Sequence, residues 1–462
     1  MPARFRMLAL SPMQFPTLLL PLTLGIVSVS LSAAPASTCL AAATDSPIPP
    51  QADDVRQLDP GETLGHFDGF GIGIHPGDVI YPDAFDALDL EYVRLEFGPV
   101  WAEVPEPIPA GATAEEMLAY IRRNYNADAP DRLTGAKHAH DFLRQRDIQL
   151  ILIHFELPYQ WRVAGGDGLF DAAYIDDLAR FYTAHLLFLK SHDIELDYIE
   201  LSNEPDGRWN GHLPPEDYAT LVRACARQFA AAGLENLKIL GPGLAFLNLY
   251  GQTPAYMAAL EASAHKYLDG WSTHTWDEVE FQQSRVEYTF GVWQPLIDAI
   301  HRIDPRREKP LFVTEYGTDV LQFADRRYPS PRDQTVDTVL DSWDYAVRVM
   351  ANSITHLNRG ANALVLYRLS NAHWHGTGWG ILQPEAPDRF SKKPIFRALE
   401  TFVADLPVGW TILKPLWYRH DDPIVMTALH HAASGALTLL LTNTSDQRQQ
   451  MTLNMPAGML TH

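Results

Sequence analysis

Eight short apolar runs recur along this chain, separated by longer stretches of mixed polarity. They occupy residues 67–73, 92–97, 148–155, 198–202, 237–240, 271–275, 311–314 and 363–369. Continuous apolar runs of this length suit strands buried on both faces, as in a parallel sheet covered by helices. The stretches between them carry helical periodicity. In 171–190 the residues Tyr174, Ile175, Leu178, Phe181, Tyr182, Leu186 and Leu189 fall on one face. Pro214-Pro215-Glu216-Asp217 announces another helix, with proline and acidic residues in its first turn. Further helices are predicted over 114–124, 131–146, 254–266, 293–302, 332–358 and 394–403.

Eight strand–helix units predict an α/β fold closed into a (β/α)₈ TIM barrel over residues 54–409. The span 67–371 gives about 38 residues per unit, which leaves room for long loops. After residue 409 the pattern changes to short β-rich segments at 411–418, 423–430, 436–442 and 451–455, separated by turn residues. They predict a small antiparallel, β-sandwich-like side module over 410–462, joined by a strand from within 54–60.

The N-terminus has the features of a secretory leader. Arg4 and Arg6 precede a strongly apolar stretch from Leu18 to Leu31, and Ala41-Ala42-Ala43 offers a cleavage point. Pro21 and the short length argue against a retained spanning helix. Residues 1–43 are thus expected to be a signal peptide and 44–53, rich in Pro and Asp, a linker. The mature chain is expected to be secreted or periplasmic, with no stable membrane insertion. Cleavage after Ala43 would remove Cys39 and leave Cys225 alone, so no internal disulfide is expected. The net charge of −21 argues against nucleic acid or an anionic membrane surface as partner.

The chemistry concentrates at predicted strand ends. Glu204 ends Tyr198-Ile199-Glu200-Leu201-Ser202-Asn203-Glu204-Pro205, and Glu315 lies in Leu311-Phe312-Val313-Thr314-Glu315-Tyr316-Gly317. They are 111 residues apart, three units at the same spacing, which places them on strands four and seven. Strand ends on opposing arcs of a barrel can face each other across its mouth. Two facing carboxylates are the equipment for cleaving a glycosidic bond with retention, and they then stand roughly 5–5.5 Å apart. Glu204, before a proline turn, is the expected acid/base, and Glu315 the expected nucleophile. Arg94, at the end of strand two, is a cation that can keep one carboxylate ionised. Asn203 is placed to bond a sugar 2-hydroxyl. His274 and Tyr316, at strand ends six and seven, are candidates for tuning the nucleophile.

Aromatic residues beyond strand ends suit sugar stacking. Trp161, Trp276 and Trp374 are the candidates for substrate contact, with Trp209 and Trp379 in similar positions. Arg208 and Arg368 are placed near the same mouth. His373 and His375 have the spacing that presents two metal ligands from one side of an extended segment. No Asp or Cys cluster accompanies them, so neither a metal nor any other cofactor is expected.

Asn203-Glu204-Pro205 and Thr314-Glu315-Tyr316-Gly317 resemble the retaining glycoside hydrolases of clan A. The likeness extends to Phe67-Asp68-Gly69-Phe70-Gly71, Val93-Arg94 and Ser272-Thr273-His274. The Gly-Phe-Gly opening and trailing β-module resemble family thirty most, with its glucosylceramidases, β-glucosidases, endo-β-glucanases and xylanases. The sequence departs from that pattern at Ile72-Gly73-Ile74-His75. The resemblance implies catalytic roles for Glu204 and Glu315 and binding roles for Arg94, Asn203 and His274. The partner it implies is an oligosaccharide, polysaccharide or glycoside. Two rival readings are a non-catalytic carbohydrate-binding relative and a metal-dependent barrel hydrolase using His373 and His375.

Overall fold

The computed structural model describes residues 28–32, 55–95, 97, 106–126, 131–245, 251–277, 285–318, 340–370, 373–374, 377–386, 389–404, 406, 408–415, 423–445 and 449–454. Eight parallel strands close into a barrel in chain order. They are β1 (Gly69–Ile74), β2 (Tyr92–Leu95), β3 (Gln149–Ile153), β4 (Tyr198–Glu200), β5 (Lys238–Leu244), β6 (Gly270–Asp277), β7 (Leu311–Thr318) and β8 (Ala363–Leu366). Each grows from one of the eight apolar runs. The largest differences fall at the C-terminal ends: β8 stops three residues early, while β5 and β7 run on four residues past the apolar stretch.

Side chains alternate between the barrel interior and the surrounding helices, as a pleated strand requires. Tyr92, Ile151, Tyr198, Leu240, Phe312, Ala363 and Val365 fill the interior as a separate cluster. The ring of Phe312 meets Tyr92 at 5.3 Å and Tyr198 at 5.4 Å, both between centroids. This layer plugs the barrel. The next inward positions towards the C-terminal end are polar: Arg94 two residues after Tyr92, Glu200 two after Tyr198, Thr314 two after Phe312.

On β7 the alternation is broken on purpose. His274 pairs with Glu315 while Thr273 pairs with Val313, so Thr314 is an extra residue opposite β6. The same irregularity shows against β8, between Leu364 and Leu366. A bulge of this kind re-aims the side chains that follow it. Thr314 and Glu315 both turn inward, and Tyr316 is sent outward.

Helices fill the expected intervals: Ala114–Asn124, Arg132–Arg144, Ile175–Lys190, Pro215–Ala231, Thr253–Ser263, Arg285–Ile303, Trp343–Leu357 and Pro394–Val403. Ala114–Asn124 opens with a capping box between Thr113 and Glu116. Arg285–Ile303 starts well before the predicted 293, carrying Pro295 inside it. A short helix, Pro82–Leu88, was not predicted. The start of the helix predicted over 332–358 lies outside the described residues. No described helix is long and apolar enough to cross a membrane.

The side module is one six-stranded sheet in the order Ser28–Ser32, Gln450–Asn454, Val55–His66, Thr411–Pro415, Ile424–His431, Ala436–Asn443. The first three strands pair in parallel and the remainder antiparallel. Ile412, Leu429 and Leu440 join the main core. Their neighbours Leu413, Ala428 and Leu441 belong to a second cluster on the other face. Asn358, at the end of Trp343–Leu357, donates from Nδ2 to Met426 O at 2.8 Å and ties this sheet to the barrel's helical layer. Apart from Ser28–Ser32, the expected leader and the 44–53 linker lie outside the described residues.

Candidate active site

The C-terminal end of the barrel gathers one ionic network from four strands. Arg94 is its centre. Its Nε donates to Glu200 Oε2 at 2.9 Å, Nη1 to Glu315 Oε2 at 2.7 Å, and Nη2 to Asn203 Oδ1 at 2.6 Å. All four residues are buried. A buried guanidinium is tolerable only when its donors are matched by charge and geometry, and here three directions are used. Arg94 stays protonated, because the two glutamates outweigh its burial.

Glu200 is the residue the sequence reading passed over. It sits on β4 four positions before Glu204, and its Oε1 accepts from Thr314 Oγ1 at 2.6 Å. Burial raises its pKa, but Arg94, His274 and Thr314 outweigh that and hold it down to about 2. The signal was present: a carboxylate inside an otherwise apolar run must be paired, and Arg94 was the available partner.

Glu204 follows the end of β4 with φ +53. This left-handed conformation costs an ordinary residue roughly 1–2 kcal/mol, offset by the contacts that it makes possible. Its Oε1 faces His274 Nδ1 at 3.0 Å, and its Oε2 accepts from Trp209 Nε1 at 2.5 Å. His274 Nε2 lies 3.3 Å from Arg94 Nη2, which can only donate. The contact geometry therefore puts a proton on Nδ1, whatever the state of Nε2. Burial lowers the pKa of His274, but the charges of Glu315, Glu200 and Glu204 prevail and push it up to about 9.

Glu315 accepts from Trp276 Nε1 at 3.2 Å as well as from Arg94. Its pKa is raised: burial is the largest cause and the charge of Glu204 adds to it, together outweighing the opposing charges of His274 and Arg94. Trp276 is wedged edge-on against Trp379 at 5.2 Å and Tyr367 at 5.5 Å. A Cβ at Gly317 would come within 2.8 Å of the Trp276 ring, so glycine there leaves the indole its place.

One ligand atom from each of Glu204, His274 and Glu315 lies within 4.8 Å of the others. The donor types would suit a divalent cation, but the guanidinium of Arg94 already stands between Glu315 and His274. These residues fit an ion-paired network better than a metal cage. His375 lies outside the described residues, and His373 is described in backbone only.

Two predicted site residues are placed elsewhere. Tyr316 is turned outward by the β7 bulge; its hydroxyl donates to Ser353 Oγ at 2.8 Å, whose own proton goes to Val349 O. Trp161 is buried beneath the loop after β3, stacked on Tyr174 at 5.6 Å and edge-on to Phe181. Both were expected at the mouth because sequence distance from a strand end does not say which way a side chain turns. Trp374 lies in a two-residue strand, His373–Trp374, paired with Thr377–Gly378; its side chain is outside the description. Arg94, Asn203, Glu204, His274, Trp276 and Glu315 come together. Arg208 is exposed in an ion pair with Asp167, and Arg368 is buried beside the Tyr367 ring.

No family model and no curated protein matches this sequence. Solved structures do share its fold. An endo-β-1,6-glucanase superposes with a TM-score of 0.60 at 16% identity, covering 88% of this chain and 90% of its own. A GH30 endoxylanase from Clostridium papyrosolvens gives 0.58 at 14% identity, with 87% and 88% covered. A family 51 α-L-arabinofuranosidase from Bifidobacterium longum gives 0.52 at 15% identity, with 85% of each chain covered. At these identities the likeness establishes the barrel and its accompanying sheet.

Proposed function

We propose that this chain is an exported β-glycoside hydrolase that works by double displacement with retention, on a β-linked glucan, xylan or related glycoside. The observation that carries the reading is the approach of Glu204 and Glu315 oxygens to within 4.8 Å, in different surroundings. Retaining enzymes hold their carboxyl groups roughly 5–5.5 Å apart, inverting ones roughly 6.5–9.5 Å to admit a water. The shorter distance supports retention.

The surroundings support the division of roles. Glu315 meets the Arg94 guanidinium and the Trp276 N–H, both of which favour an ionised carboxylate. In the first step Glu315 attacks the anomeric carbon as Glu204 protonates the departing oxygen, whose bond to that carbon breaks. In the second step Glu204 takes a proton from water, and the resulting hydroxide displaces Glu315 from the sugar. Asn203, held by Arg94, is positioned for the sugar 2-hydroxyl. No step calls for a cofactor. The names of the structural neighbours, a glucanase and xylanases among them, point to a β-linked polysaccharide.

Export rests on the leader features of residues 1–43. A non-catalytic carbohydrate-binding role would not need two buried carboxylates brought this close together. The test is sugar release from a panel of β-glucans, xylans and aryl β-glycosides by the wild type and by Glu315→Ala. Release by the wild type and its loss in the variant is expected; equal release by both would defeat the assignment.

A further inference from the structure

Trp209 is 45% exposed, yet its indole N–H is committed to Glu204 Oε2. An open aromatic side chain normally keeps its rotamer freedom, and this one is fastened from two sides. Its ring covers Gly207, where a Cβ would stand 2.5 Å from the indole. The loop that carries it is locked to the loop after β3. Phe170 N donates to His212 O at 2.9 Å, and His212 N to Gly168 O at 2.8 Å. Gly207 N donates back to Glu204 O at 2.8 Å.

The two oxygens of Glu204 are not equivalent. Oε1 receives the His274 Nδ1 proton, and Arg94 beside Nε2 prevents that ring from turning to accept. His274 on the Oε1 side is fully buried while Trp209 on the Oε2 side is 45% exposed, so Oε2 is the oxygen that faces the open mouth. The departing glycosidic oxygen must approach there, which brings the rest of the leaving group over the exposed indole.

We propose that Trp209 is a positioning residue for proton transfer and the platform of the leaving-group subsite. Its N–H turns Glu204 so that Oε2 faces the glycosidic oxygen, and its open face takes the departing sugar or aglycone ring. When the proton passes from Oε2 to the leaving oxygen, the bond to the anomeric carbon breaks and its electron pair stays on that oxygen. The carboxylate left behind is held again by the indole N–H. This inference rests on Glu204 being the proton donor.

The test compares Trp209→Phe and Trp209→Ala with the wild type, using dinitrophenyl and phenyl β-glycosides of a sugar that the wild type cleaves. Dinitrophenolate departs without a proton; phenol does not. For Trp209→Phe, kcat/KM for the phenyl glycoside should fall about tenfold further than kcat/KM for the dinitrophenyl glycoside. Trp209→Ala should in addition raise KM for an oligosaccharide, through loss of the stacking face. Thermal midpoints close to the wild type will show that both variants fold. Equal loss on both aryl glycosides would overturn the inference while leaving the glycosidase reading intact. No turnover of either by the wild type would remove both.

Discussion

Arg94 Nε lies 2.9 Å from Glu200 Oε2, and this pair anchors the guanidinium whose other end holds Glu315 at 2.7 Å. Glu200 is buried, and its carboxylate is taken up by Arg94 and Thr314. On the proposed mechanism its role is to fix the cation that orients Glu315.

Glu200→Gln should therefore lower both stability and activity. Removing one partner from a buried ion pair typically costs about 3–5 kcal/mol. Chemical denaturation at pH 7 will measure that loss. Activity should fall about 10- to 100-fold, as when the supporting partner of a functional group is removed. The pair also contributes to acid sensitivity: the Glu200 pKa is depressed to about 2, so its stabilisation is complete above the ordinary glutamate value of 4.5 and lost as pH falls towards 2.

Trp276 donates to the other oxygen of Glu315, Oε1. Trp276→Phe keeps the packing against Trp379 and Tyr367 but removes that N–H. The expected loss in kcat is about tenfold, at the weak end for a donor aimed at a charged group. Steady-state kinetics on an aryl glycoside will check it; unchanged kcat would mean that the bond is structural only.

Tyr316→Phe makes the opposite prediction. The hydroxyl bonds to Ser353 between β7 and the helix Trp343–Leu357, away from the carboxylates. Stability should fall by about 1 kcal/mol, with kcat within about twofold of the wild type. A large kinetic loss at unchanged stability would restore Tyr316 as a residue that tunes Glu315.

Buried histidines set the pH dependence of folding. His154 is stacked on Tyr182 at 4.2 Å, and burial lowers its pKa to about 3; His356 is lowered to about 3 for the same reason. Each favours the neutral ring in the folded state, so the stabilisation is present above the unfolded value of 6.5 and lost as pH falls below it. Each contributes up to about 1.4 kcal/mol per pH unit in that window. His274 has the reverse sign: its raised pKa favours folding below 6.5, and that contribution fades as pH rises towards 9. His154→Phe should flatten the loss between pH 6.5 and 4.5 by about one histidine's slope, measured by urea denaturation at each pH.

Much of this site could be read before the fold was known, for a simple reason. Buried parallel strands leave unbroken apolar runs, and the polar residue that ends such a run lies at the barrel mouth. Glu204 and Glu315 were found that way, and Arg94 and His274 stood out as polar residues near the ends of strands two and six. What escaped was direction and depth. Tyr316 was misplaced because one extra residue on β7 inverts the alternation, and bulges have no spacing signature. Glu200 was missed because Glu204, four positions later at the end of the same run, already supplied that strand's carboxylate. Trp161 and Trp209 follow strands three and four by similar short intervals, yet one is buried and the other roofs the Glu204 carboxylate. That difference is made by loop-to-loop hydrogen bonds between residues far apart in sequence.

The most direct test of the central claim, that Glu315 attacks the sugar while Glu204 handles the proton, is to follow the anomeric configuration of the first product by proton NMR. Retention predicts that the β-anomer appears first and mutarotates later. The same sample treated with a 2-deoxy-2-fluoro glycoside should carry the label on the peptide containing Glu315. Initial release of the α-anomer, or a label on any other residue, would contradict the account.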